Sequence, residues 1–83
     1  MDIKITQGFY LPREHVKYYA SYESYYIKNI VKQMKKEGTV LDLTAGKKAL
    51  SVIFLLNGEI ILTNVLVDTL NKRLDPQDRE QKG

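Results

Sequence analysis

Eighty-three residues with 13 Lys/Arg, 10 Asp/Glu, one His and no Cys make one small domain of net charge +3. Without a thiol there is no disulfide, and a single imidazole, His15, leaves no zinc-ligand set, so no metal and no cofactor are expected. A chain this short buries only about 60% of its unfolded surface, and without staples the expectation is a homo-oligomer. Met1-Asp2-Ile3-Lys4 lacks the basic start and apolar run of a secretory leader. The longest apolar run, Val52 to Leu56, is far short of the roughly 20 residues that span a bilayer, so the expected setting is the cytoplasm without a membrane partner. Charge is uneven: residues 1–74 hold 11 basic and 7 acidic side chains (+4), and residues 75–83 hold 2 and 3 (−1). That balance is compatible with a polyanion partner.

Ile3 and Ile5 alternate with Lys4 and Thr6, the pattern of a strand with one buried face. Gly8 breaks it, and Phe9–Leu11 forms a second extended piece ended by Pro12. His15 to Ala20 is rich in β-formers and reads as a strand. Ser21 suits a helix N-cap, with Glu23 in the first turn. Ile27, Ile30, Val31 and Met34 then repeat as one apolar helix face, and Gly38 follows as the C′ residue. The spacing predicts a helix over 22–37. Thr39–Thr44 alternates as a strand, Ala45-Gly46 turns the chain, and Lys48–Leu56 is a strong strand. Asn57-Gly58 predicts a type I′ hairpin turn into a return strand, Glu59–Asn64. Asp68 caps a short helix, Thr69–Leu74, and the polar residues 75–83 read as a disordered tail. The expected fold is α+β: a single domain over 1–74, with an antiparallel sheet of about five strands, one long helix on a face and a short C-terminal helix.

No catalytic set emerges. His15 is a lone imidazole without a nucleophile beside it, and Gly46-Lys47-Lys48 lacks the spacing of a phosphate loop. An enzyme is therefore the least favoured class. Basic groups remain. On a helical wheel centred on Ile27, Lys28, Lys32, Lys35 and Lys36 fall at roughly 80° to 180°, beside and opposite the apolar face. They read either as a solvated face or as a secondary surface for a polyanion. All six tyrosines lie between Tyr10 and Tyr26, interleaved with Arg13, Lys17 and Lys28. Subunit contact, plain packing and base stacking all use such mixtures. Lys47 and Lys48 follow a tight turn, where Gly46 lets the backbone approach a partner. They read equally as a solubilising hairpin tip or as a positioned contact.

The run Ser21-x-Glu23-Ser24-x-x-Ile27-Lys28, then Gly38, then Asp42-x-Thr44-x-Gly46-Lys47-Lys48 resembles the RemA family of small bacterial regulators linked to extracellular matrix and biofilm genes. The similarity continues through Ile61-Leu62, Val65, Thr69 and Arg73-Leu74. It implies a non-enzymatic transcriptional regulator that binds double-stranded DNA, assembles as a closed ring and works at the nucleoid. It also implies DNA contacts by a pair of arginines after the glycine of the D-x-T-x-G turn, which are Lys47 and Lys48 here. A further basic contact falls on His15 or on nearby Arg13, with Lys17 beside them, and another expected arginine is Leu50. Lysine keeps charge but loses the bidentate fork, so the resemblance implies a phosphate clamp rather than a base reader. The alternative is a protein-interaction module that uses the tyrosine-rich surface without nucleic acid.

Overall fold

The computed structural model describes residues 2–6 and 8–74. In chain order these form β1 (Asp2–Thr6), β2 (Phe9–Pro12), a 3-10 turn over Arg13–His15, β3 (Val16–Ser21), α1 (Tyr25–Glu37), β4 (Val40–Asp42), β5 (Ser51–Leu55), β6 (Ile60–Thr63) and α2 (Val67–Leu74). The class is α+β, with the long helix and the short C-terminal helix in the expected places. The sheet is richer than a single antiparallel one. β1 and β2 pair by themselves, and the other strands form a second sheet in the order β3-β5-β6-β4, in which β4 runs parallel to β6. Alternation in Val40–Asp42 marks a strand but cannot name its neighbour. The neighbour is decided by the segment after β4, which crosses the end of β6 and enters β5 on the other side of it.

Every residue of β6, and Ser51 to Phe54 of β5, is buried, because both faces of this pair are covered. On one face Val52, Phe54, Ile60 and Leu62 pack against Val31 of α1, with Ile27 and Met34 alongside. On the other, Ile53 and Ile61 pack against Ile3, Ile5 and Leu11 of the small sheet and Leu70 and Leu74 of α2. The result is three layers. Each fully buried Ile, Leu or Val contributes roughly 1.5–3 kcal/mol of transfer free energy.

Several expected boundaries move: β4 is only Val40–Asp42, β5 begins at Ser51 rather than Lys48, and α2 begins at Val67, so Asp68 lies inside its first turn instead of capping it. The long helix starts at Tyr25 with Ser24 as N-cap, not at Tyr22 with Ser21, so Glu23 precedes it. Ser21 is held extended by pairing with Ser51, and the Tyr22 N–H donates to the Leu50 carbonyl at 3.1 Å, which ties the residue after β3 to the one before β5 and delays the helix. The Ser21 hydroxyl still caps locally, accepting from the Glu23 N–H at 3.2 Å. The far end behaves as expected: Gly38 is left-handed, and the Thr39 N–H returns to the Met34 carbonyl. Asn57-Gly58 does join β5 to β6, but only Gly58 has positive φ, and its N–H bonds the Leu55 carbonyl. The loop is therefore three residues, Leu56 to Gly58, with the glycine in a bulge, not the two-residue type I′ turn. The expectation for residues 75–83 lies outside the described residues.

Candidate nucleic-acid interface

Asp42 ends β4. Its Oδ1 accepts from the Thr44 N–H at 2.9 Å and from the Thr44 hydroxyl at 2.6 Å. These bonds to the charged form hold the Asp42 carboxyl below its usual range, with a smaller contribution from Lys35. The Thr44 carbonyl then accepts from the Lys47 N–H at 3.0 Å, which closes a turn over Ala45 and Gly46. Both inner residues have positive φ, 55° and 79°, as in a type I′ turn. No described atom lies within 4 Å of a β-carbon built on Gly46, so this glycine is required by its φ rather than by close packing. Ala45 is the only described non-glycine residue with positive φ.

The stems are pinned on both sides of β6. The Leu43 N–H donates to Leu62 and the Leu50 N–H to Thr63, each at 2.8 Å. Beneath them the buried hydroxyls of Ser51 and Thr63 bond at 2.8 Å, and Thr63 Oγ1 accepts from the Val65 N–H. Lys47 and Lys48 thus project, exposed, from a segment that arches over the end of the sheet. They are part of a crossover, not a hairpin tip. Beside Lys47 lies an open cleft of about 450 Å³ lined by Thr6, Asp42, Leu43, Ala45 and Asn64.

The other predicted residues lie elsewhere. Val16 pairs with Leu55 and Ser21 with Ser51, so Arg13, His15 and Lys17 are at the opposite end of β5 from Lys47 and Lys48. About 13 Å of strand separates the two groups. Arg13 Nε donates to the Leu74 carbonyl at the end of α2, which gives this side chain a structural task. His15 is exposed and lines a small cavity with Leu55, Leu56 and Asn57. Lys17 occupies a bulge between Val16 and Tyr18, with its ammonium 5.5 Å from the Tyr18 ring centroid. Lys28, Lys32, Lys35 and Lys36 are all exposed along α1, which runs from the lysine-loop end of the sheet to the hairpin end.

The tyrosines do not form one surface. The bulge at Lys17 turns Tyr18 toward α1, where its ring lies 4.7 Å from Phe54, and Tyr19 toward α2, where its hydroxyl bonds Asn71 at 2.7 Å. Tyr22 packs into the α1-side core, Tyr10 is exposed on β2, and Tyr25 and Tyr26 stand 74% and 77% exposed at the start of α1. Residue-by-residue reading gave Asp42 and Thr44 no role of their own. The signal was present, since an Asp two residues before an N–H donor is the pattern of an Asx turn.

A model of the RemA-like family, described as extracellular matrix regulatory protein A-like, matches residues 3–74. A protein of Finegoldia magna named "Putative regulatory protein" is 33% identical over 55 residues, which is 66% of this chain and 66% of that one. The match therefore covers just under two thirds of that relative. Among the described residues no helix is long and apolar enough to cross a membrane.

Proposed function

The chain belongs to the RemA-like family of regulatory proteins, and from that premise we propose that it is a cytoplasmic, nucleoid-associated transcriptional regulator that binds double-stranded DNA as a ring-shaped homo-oligomer. The observation that carries this reading is the exposed pair Lys47–Lys48 on a turn pinned at both stems to the central strand. Ammonium groups held on a rigid base bind phosphates as point charges without losing loop entropy on contact. Arg13 or His15, with Lys17, supplies a second and weaker contact, and the α1 lysines add to the field.

Assembly has its own support. β3 and β4 are opposite edges of one sheet, and neither pairs further among the described residues. Leu41 is exposed on β4, and beside β3 a groove of about 240 Å³ is lined by Tyr18, Ile30, Met34 and Phe54. Two unlike edges favour head-to-tail contact, which closes into a ring when the rotation allows. Repeating a weak phosphate clamp around such a ring raises total affinity without new contacts.

A gel-shift titration of wild type against Lys47→Glu/Lys48→Glu tests the DNA contact. Equal affinity removes the turn from the mechanism, and no binding by wild type at low salt favours the tyrosine-based protein-interaction reading. Light scattering tests the assembly, and a monomer mass of 9.6 kDa at micromolar concentration rejects the ring.

A further inference from the structure

We propose that Asp42 and Thr44 are positioning residues for the lysine pair, so that a carboxylate strengthens the binding of a polyanion. This rests on the reading of the loop as a DNA contact. The chain of bonds runs in one direction. Asp42 Oδ1 holds both the N–H and the hydroxyl of Thr44, Thr44 is buried, and its carbonyl holds the Lys47 N–H. Between Thr44 and Lys48 little else fixes the backbone, because residues 45–48 are exposed.

The turn also does not hold itself. Ala45, at φ 55°, has a β-carbon crowding the following carbonyl, a conformation an isolated Ala leaves. The Asp42–Thr44 bonds offset that cost from one side, and the Leu50–Thr63 bond anchors the other stem. Without Asp42 the turn relaxes, and the lysines must be ordered at the moment of binding, which subtracts from affinity.

Coulomb's law alone gives the opposite sign. An acid on a DNA-contacting loop repels phosphate, so deleting it should tighten binding. Salt separates the two effects, because repulsion between exposed charges weakens as ionic strength rises. Turn geometry is not screened.

The test uses the full chain, a short duplex as probe, and the variants Asp42→Asn, Asp42→Ala and Thr44→Val. Asn accepts the same two bonds without the charge, so Asp42→Asn binds as tightly as wild type or tighter. Asp42→Ala binds about tenfold more weakly, as does Thr44→Val, which loses the hydroxyl link. Hydrogen exchange at the Lys47 amide is slow in wild type and Asp42→Asn and fast in Asp42→Ala. In a Lys47→Ala/Lys48→Ala background, at low salt, Asp42→Ala has no further effect on binding.

Equal or tighter binding by both Asp42→Asn and Asp42→Ala overturns the proposal in favour of plain charge repulsion. The same loss in the lysine-free background overturns it in favour of general destabilisation. A wild type that does not bind duplex overturns the DNA reading and with it the purpose of the clamp, even where amide exchange shows the clamp itself. A wild type that binds, with equal Lys47 exchange in all variants, overturns the clamp alone.

Discussion

The two ends of the central sheet are closed by turns built from similar parts. At the hairpin end, Asn57 Oδ1 accepts from the Glu59 N–H at 2.9 Å, as Asp42 Oδ1 accepts from Thr44 at the lysine end. The surroundings differ. The hairpin places exposed Leu56 and Glu59 around its turn and satisfies positive φ with Gly58 alone. The crossover places two lysines after its turn and forces Ala45 into the left-handed region beside Gly46. The ordinary turn carries the stronger sequence signal, and the strained one carries the candidate contact. Strain persists where surrounding bonds over-determine it, and such places cluster at working sites.

The largest expected effect separates the two ends by charge. Lys47→Glu/Lys48→Glu lowers duplex affinity by at least about 100-fold at roughly 0.1 M salt and flattens its salt dependence. His15→Glu/Lys17→Glu, at the hairpin end, costs about tenfold if the proposed secondary contact holds there. Fluorescence anisotropy across a salt series measures both. Equal losses would break the distinction between the ends.

Stability sharpens it next. Thr63→Val leaves the buried Ser51 hydroxyl and the Val65 N–H without their partner beneath the lysine loop, at a cost of about 1–3 kcal/mol. Asn57→Ala removes comparable bonds in an exposed turn, where water replaces them, and costs about 0.5 kcal/mol. Urea unfolding of both variants gives the ranking, and a reversed order would mean that the lysine end is not the better supported one.

The backbone supplies a smaller contrast. Gly58→Ala puts a β-carbon at φ 93° and costs about 1 kcal/mol, although no described atom blocks it. Ala45→Asn goes the other way, because Asn tolerates the left-handed region, and raises stability by about 0.5 kcal/mol. Thermal unfolding reads both signs. A loss of stability in Ala45→Asn would show that the alanine is unstrained.

Local signals in the sequence located what local bonds determine. Gly38 ends the helix, Lys48–Leu56 reads as a strong strand of which the structure keeps Ser51–Leu55, and Asn57-Gly58 marks a hairpin, because each depends on neighbours a few residues apart. The helix start was displaced because Ser21 makes a genuine local cap while the Ser51 and Leu50 partners, about 30 residues away, keep it in the sheet. The parallel placement of β4 and the bulge at Lys17 were not legible, since both are properties of pairing rather than of the strand itself. The candidate site divides in the same way. Lys47 and Lys48 were visible as a basic turn. That Arg13 is engaged by Leu74, and that Arg13, His15 and Lys17 sit at the other end of the sheet, follows only from contacts across the chain.

The smallest expected effect concerns acid. Asp42 titrates below its usual range because Thr44 bonds its charged form, so its contribution is complete above the unfolded carboxylate value of about 3.9. It is lost as pH falls through the lower folded value. Protection of the Lys47 amide is therefore level from neutral pH down to about 4 and declines only below that, and Asp42→Asn removes the decline. The change is slight, because an exposed carboxylate is well screened by solvent. A decline that begins well above pH 4, or that persists in Asp42→Asn, would overturn the assignment of this protection to the Asp42 carboxylate.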